Sequence, residues 1–128
     1  MGIPAAQYRE MTGAAPKPRK YRNTPVVVDG VRFDSKLEAA RWAVLQQREM
    51  AGEIVDLKRQ QPFILRAPNG EVIGKYVSDA SYWDVTAKRQ VVEDCKSKAT
   101  ITPMFRWKAK HMRAEHKIEI TIVEKANA

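Results

Sequence analysis

Two consecutive strand-like runs in the middle of the chain put carboxylates where a sheet would bury them. No other feature of the sequence constrains the fold as much. The runs cover residues 76–85 and 90–96, and Thr86, Ala87, Lys88 and Arg89 join them closely enough to make an antiparallel pair. Asp79 stands in the first run among apolar or small residues, and Glu93 and Asp94 stand in the second. Side chains alternate along a strand, so Asp94 and Lys96 share one face while Glu93 and Cys95 share the other. A buried carboxylate without a partner is costly, so Asp79 and Asp94 are expected to converge with the Lys96 ammonium beside them.

The segments around this pair alternate in type. Val26-Val27-Val28, Asp29-Gly30 and Val31-Arg32-Phe33 read as a small hairpin with an Asp-Gly turn. Ser35 and Glu38 have capping-box spacing, and Leu37, Ala40, Val44 and Ala51 follow with helical periodicity, widened by Trp42 and Leu45. Gly52 sits where a C-terminal cap is expected. Residues 54–65 read as extended, with Pro62 at an edge or bulge, and Asn69-Gly70 marks a hairpin before Val72-Ile73. Thr102 followed by Pro103 opens a second helix that runs to about Glu115. The strict alternation over 117–122 predicts a final strand. The order predicts an α/β fold, a mixed β-sheet flanked by helices.

Length and composition narrow the function classes. The 128 residues make one domain, 44% hydrophobic and 30% charged, enough to fold around a single core. No apolar run approaches the ~20 residues of a membrane-spanning helix, and residues 1–12 lack the apolar region of a secretory signal. One cysteine excludes an internal disulfide, and one cysteine with two histidines is too few for a structural zinc site. Twenty-three basic against fifteen acidic residues leave a net charge of +8, which suits a polyanionic partner such as nucleic acid. Residues 1–24 read as a flexible basic arm, with Lys17, Arg19, Lys20 and Arg22 placed to follow a phosphate backbone, and the folded domain takes up 25–128. Between 96 and 117 there are seven Lys or Arg residues, among them Lys98, and one acid. Arg106, Lys110, Arg113 and Lys117 recur at helical spacing as a phosphate-binding face, while Met104, Trp107 and His111 are expected to turn toward the sheet. His111 and His116 are read as helix-surface groups and Cys95 as a small buried hydrophobe. No aromatic stacking platform stands out, which ranks RNA low as a substrate.

Carboxylate oxygens suit Mg²⁺, which keeps several waters and often takes only one or two protein carboxylates together with substrate phosphate. A lysine beside them can orient or deprotonate the attacking water and offset charge on the phosphate. An acid-x-Lys on a strand is weak by itself. The acid one strand earlier and Glu38 on the preceding helix make it a set.

That set resembles the PD-(D/E)XK nuclease superfamily. The likeness rests on Phe33-Asp34-Ser35-Lys36-Leu37-Glu38-Ala39, on Tyr76-Val77-Ser78-Asp79 and on Val92-Glu93-Asp94-Cys95-Lys96. Residues 57–63, Leu-Lys-Arg-Gln-Gln-Pro-Phe, are similar to the stretch before the hairpin in a small phage-type family grouped with Holliday-junction-resolvase-like nucleases. The usual proline before the first Asp is Ser78 here. The resemblance implies a restriction-endonuclease-like core and a structure-selective, Mg²⁺-dependent DNA endonuclease, with Mn²⁺ able to substitute. It implies products with 5′-phosphate and 3′-hydroxyl ends, branched or junction DNA as partner, and a location in the cytoplasm of a bacterium or phage-infected host. A chain this small presents one active site, so symmetric cutting of a junction suggests a homodimer. Asp79 and Asp94 would hold the metal, with Glu38 as an additional ligand. Lys96 would position the water, and Gln61 would help orient substrate or water. A non-catalytic or partner-dependent nucleic-acid-binding module on the same fold is the alternative.

Overall fold

The computed structural model describes residues 24–127, a mixed α/β fold. The proposed arm therefore lies almost wholly outside the described residues, and Lys17, Arg19, Lys20 and Arg22 with it. The first hairpin pairs β1 (Val26–Val28) with β2 (Val31–Phe33). Asp29 and Gly30 both take positive φ (50° and 77°), the turn geometry that suits the right-handed twist of the two strands. Helix α1 (Lys36–Met50) starts at Ser35, whose hydroxyl accepts from the Glu38 N–H at 3.2 Å, and stops at Ala51, followed by Gly52 with φ 78°. Its buried face centres on Arg41 and Leu45 with Trp42 beside them. Ala40 and Ala51, expected on that face, are exposed, because small side chains mark the apolar stripe poorly.

The main sheet has four strands in the order β3 (Ile54–Arg59), β6 (Ala80–Asp84), β7 (Arg89–Cys95), β8 (Thr121–Val123). The first three are antiparallel and β8 is parallel to β7, so the sheet is mixed. A second, two-stranded ribbon pairs β4 (Pro62–Arg66) with β5 (Val72–Val77).

Neither long extended run of the sequence is a single strand. Residues 54–65 break at Gln60, which has φ 53°, and 76–85 break at Ser78 and Asp79. The two breaks face each other. Ser78 N–H donates to Gln61 O at 3.0 Å and Gln60 N–H donates to Asp79 O at 3.2 Å. At this corner the ribbon leaves the sheet and the inward face changes. Tyr76 and Ala80 would share a face in an unbroken strand, yet they belong to different buried clusters. A bulge further bends β3 at Asp56, which has φ 59°.

Strand β7 is covered on both sides. Val91 and Glu93 face α1, with Leu45, Ile54, Ala80 and Tyr82. Val92 lies on the other side with Phe63, Leu65, Tyr76, Phe105, Met112 and Ile120. Helix α2 (Pro103–His111) covers that side; Thr102 caps it by accepting from the Phe105 N–H at 3.1 Å. It widens into a π-helical turn (Met112–His116) that Lys117 ends with φ 58°. The final strand is accordingly short and begins at Thr121 rather than at 117, because the helix and its left-handed end take up the chain through Lys117. Helix α2 buries Phe105, with Ala109 packed against the same cluster as Met112. Met104 is exposed (61%), a correction to its expected place against the sheet, whereas Trp107 turns its indole edge over Gly74 of β5 and still remains 43% exposed. Among the described residues no helix is long and apolar enough to cross a membrane.

Candidate active site

The corner between β5 and β6 sets Asp79 against the end of β7. Its N–H donates to Glu93 O at 3.0 Å and its Oδ2 accepts from the Cys95 N–H at 2.7 Å. Asp94 is 5% exposed; its Oδ2 accepts from the Tyr76 hydroxyl at 2.7 Å, and its Oδ1 lies 3.4 Å from Lys96 Nζ. The Lys96 ammonium also stands 5.1 Å over the ring of Phe105. Asp79 thus has one oxygen fixed by a backbone donor, and Asp94 has Tyr76 on one oxygen and the Lys96 ammonium beside the other. The ladder stays in register through Asp94↔Ile122, so the alternation that pairs Asp94 with Lys96 holds. Glu93 turns the opposite way. Arg41 Nε and Nη2 donate to its two oxygens at 2.8 and 2.7 Å, and the Tyr82 hydroxyl donates to it as well.

This ion pair pins α1 to the sheet and thereby places Glu38 one turn earlier, at the end of β7. Glu38 Oε2 accepts weakly from the Asp34 N–H at 3.4 Å, so the residue closes a shifted capping box. It also lies close enough to Asp94 and Lys96 to feel both charges. Capping and site membership are compatible here.

The acids are short of positive charge. Burial pushes the Asp79 carboxyl up to about 7; the Asp94 and Glu38 charges add to this, and the Cys95 N–H and Lys96 oppose it. Burial also raises Asp94, against the Tyr76 hydroxyl and Lys96. It raises Glu38 too, with help from Asp34. Tyr76 is raised by burial and then by Asp94, so its hydroxyl stays a donor. The Cys95 thiol is pushed up by burial, which keeps it protonated and a poor nucleophile.

The stability of the metal-free protein should depend on pH through Asp79. An unfolded Asp titrates near 3.8 and folded Asp79 near 7, so the folded state holds more protons between those values. The stabilising contribution of protonated Asp79 is complete below the lower value and is lost as pH rises through the upper one. Thermal melts in EDTA should fall from pH 5 to pH 8, and Asp79→Asn should flatten that fall; an unchanged slope in the variant would refute the assignment.

The site opens onto two depressions of about 360 Å³ each, one on either side of Lys96. Ser35, Lys36, Glu38, Ser97 and Thr100 line one of them. Lys75, Tyr76, Asp94, Thr102, Met104 and Lys108 line the other. The donor set is entirely oxygen, which fits a hard divalent cation. Among the described residues no three His, Cys, Asp or Glu side chains converge closely enough to enclose an ion by themselves. Two carboxylates, water and substrate oxygen meet the needs of Mg²⁺.

Gln61 is not brought to the acids: its Oε1 accepts from the Ser81 hydroxyl, and its side chain lines a separate depression with Lys58, Trp83 and Gln90. The break at Gln60–Gln61 turns it onto the open part of the sheet. Arg106, Lys110, Arg113 and Lys117 are exposed on α2 and its π turn, and Lys117 Nζ donates to Ala114 O at 2.9 Å. Lys98 lies in a short 3₁₀ turn (Lys98–Thr100) after β7. The histidines fasten the helix to β4: His111 Nε2 lies 2.9 Å from both Arg66 O and Glu115 Oε1, and His116 Nε2 lies 2.8 Å from Ile64 O.

Sequence reasoning missed Tyr76, Lys75 and Lys108 as neighbours of the acids and Arg41 as the partner of Glu93. Only Arg41 had a local signal, a charged residue at i+3 from Glu38 on the helix face that carries Leu45.

A family model described as a protein of unknown function, DUF1064, matches residues 18–127. The chain belongs to that family. Neither the curated proteins nor the solved structures gave a match.

Proposed function

We propose that the chain is a Mg²⁺-dependent DNA endonuclease of the PD-(D/E)XK type, built on a restriction-endonuclease-like core and selective for branched DNA. The observation that carries this reading is the pairing of half-buried Asp79 with buried Asp94, held beside Lys96 at the end of β7 where a cation-lined groove opens. A purely structural role explains the pair poorly, because burial and the Asp94 charge both work against an ionised Asp79 and the Lys96 ammonium has two acids to offset.

Asp79 and Asp94 would hold the ion, with Glu38 reaching it through water. When bound, such an ion polarises a phosphoryl oxygen and makes a water acidic enough to attack at neutral pH. The chain's own residues do the rest. Tyr76 and the Cys95 N–H fix the two carboxylates in orientation. Lys96 sits where it can orient the water and offset charge developing on the phosphate. Lys75 and Lys108 on one side, and Lys36 on the other, supply cations for the flanking phosphates. One domain offers one such site, so symmetric cutting of a four-way junction calls for a homodimer.

The test is cleavage by purified protein of a four-way junction, a flap, a linear duplex and single strands, with Mg²⁺, Mn²⁺ or EDTA. Metal-dependent cutting that Asp94→Asn and Lys96→Ala both remove is the expected result. Tight DNA binding without cutting under any metal would replace it with the binding-module reading. Binding itself should weaken with salt at a slope near −5 if about six phosphates are neutralised, and the Lys75→Ala/Lys108→Ala double variant should reduce that slope by about two. A slope unchanged by the double variant would move the phosphate path off this groove.

A further inference from the structure

We infer that Trp107 is a stacking platform for an unpaired base of the DNA strand that enters the groove, and that it gives the site its preference for splayed or branched substrates. This rests on the nuclease reading for the identity of the strand and deepens it by naming what the site selects.

Trp107 is a large aromatic side chain that remains 43% exposed although its ring is firmly held. It stacks on His111, with ring centroids 5.3 Å apart and planes 26° from parallel. His111 is itself fixed, its Nε2 lying 2.9 Å from both Arg66 O and Glu115 Oε1. The indole edge also lies over Gly74 of β5, where an added β-carbon would stand 3.9 Å from Cζ3. A tryptophan needed only for packing would turn further into the core, as Phe105 does. Here a histidine and a glycine instead hold an aromatic surface toward solvent. A buttressed ring gives up little side-chain entropy when a flat partner stacks on it.

Its neighbours identify that partner. Lys108 follows Trp107 on α2 and Lys75 follows Gly74 on β5, and both cations line the depression that contains Asp94. Met104, one turn earlier on α2, lines it too. An exposed aromatic ring one turn along α2 from Met104, next to a groove that Lys75 and Lys108 line, matches the mixture of base and backbone contacts that single-stranded nucleic acid requires. A paired base in a continuous duplex keeps both faces covered by its neighbours and cannot use the platform. A base at a branch or flap can.

The test measures binding in EDTA, which separates it from cleavage. Trp107→Ala should weaken binding to a flap or four-way junction about 5- to 150-fold, the range found for losing a stacked base, and leave a linear duplex nearly unchanged. Trp107→Phe, which keeps a ring over Gly74, should retain most of the preference. With the unaltered protein, 2-aminopurine at the first unpaired position should be quenched on binding, and this reading remains available if Trp107→Ala fails to fold. Equal loss on flap and duplex, no loss on either, or no quenching would overturn the inference. So would a change of oligomeric state in Trp107→Ala with DNA preference intact, which would make the face a protein contact. A dependence on Trp107 seen with RNA and absent with DNA would overturn DNA as the occupant. A protein that binds and discriminates as expected but never cuts would refute the nuclease reading and leave the platform standing.

Discussion

Asp79→Asn is expected to remove metal-dependent cleavage, by at least ~10²-fold, while making the metal-free protein more stable at pH 8. The two effects have one cause. Asp79 is a half-buried carboxylate beside Asp94, and desolvation together with that neighbour holds it up to about 7. Above that pH the folded chain bears a charge that its surroundings resist. Asparagine removes the charge and keeps the oxygen that accepts from the Cys95 N–H. The relief should be roughly 1–3 kcal/mol, less than the full pKa displacement implies because the group is partly solvated. Melting temperature in EDTA at pH 8, measured beside cleavage with Mg²⁺, checks both effects. Lower stability together with retained cleavage would show that Asp79 is a structural acid and would sink the proposed metal role.

The second large effect lies on the face of β7 that α1 covers. Arg41→Met is expected to cost about 3–5 kcal/mol, because it leaves Glu93 buried without its guanidinium. Both side chains of the pair are almost fully buried, and Arg41 Nη1 also donates to Ala126 O at 2.9 Å, so the same residue ties down the end of the described chain. Replacing Arg41 and Glu93 by Met and Leu, with Tyr82→Phe to remove the hydroxyl that donates to Glu93, should recover most of the loss. Burial and the hydrogen bond to Glu93 push Tyr82 up to about 12, so this hydroxyl is a protonated donor across the neutral range. Urea unfolding of the single and triple variants decides the matter. A single variant within ~1 kcal/mol of the unaltered protein would mean that Glu93 is solvated and that the pair does not set the position of α1.

Glu93 and Asp94 stand next to each other in the sequence and do different work. Alternation along β7 told them apart in advance, because it needs nothing beyond period-two geometry and an unbroken ladder. The same local reasoning found the Asp29-Gly30 turn, the Ser35 and Thr102 caps, and the hairpin joining β6 to β7. In each case the deciding interaction spans a few residues.

What alternation could not reveal was the corner at Asp79. Residues 76–85 read as one strand because nothing local interrupts them. The break exists because residues 60 and 61, far back in the chain, exchange hydrogen bonds with 78 and 79. That corner carries Asp79 to the end of β7 and turns Gln61 away to Ser81. Tertiary packing likewise chose which α2 residues are buried. Phe105 and Met112 fill the core, and Trp107 is left outside over Gly74, a choice that requires β5 to pass beneath the helix. The basic face of α2 was legible, but Lys75 and Lys108 became neighbours of Asp94 only once ribbon and helix closed around it. The sequence by itself determined the elements, their caps and the face that each β7 side chain takes, since those follow from backbone geometry within a few residues. Only the tertiary structure decided which distant groups share a site, because burial and ion pairing act through space.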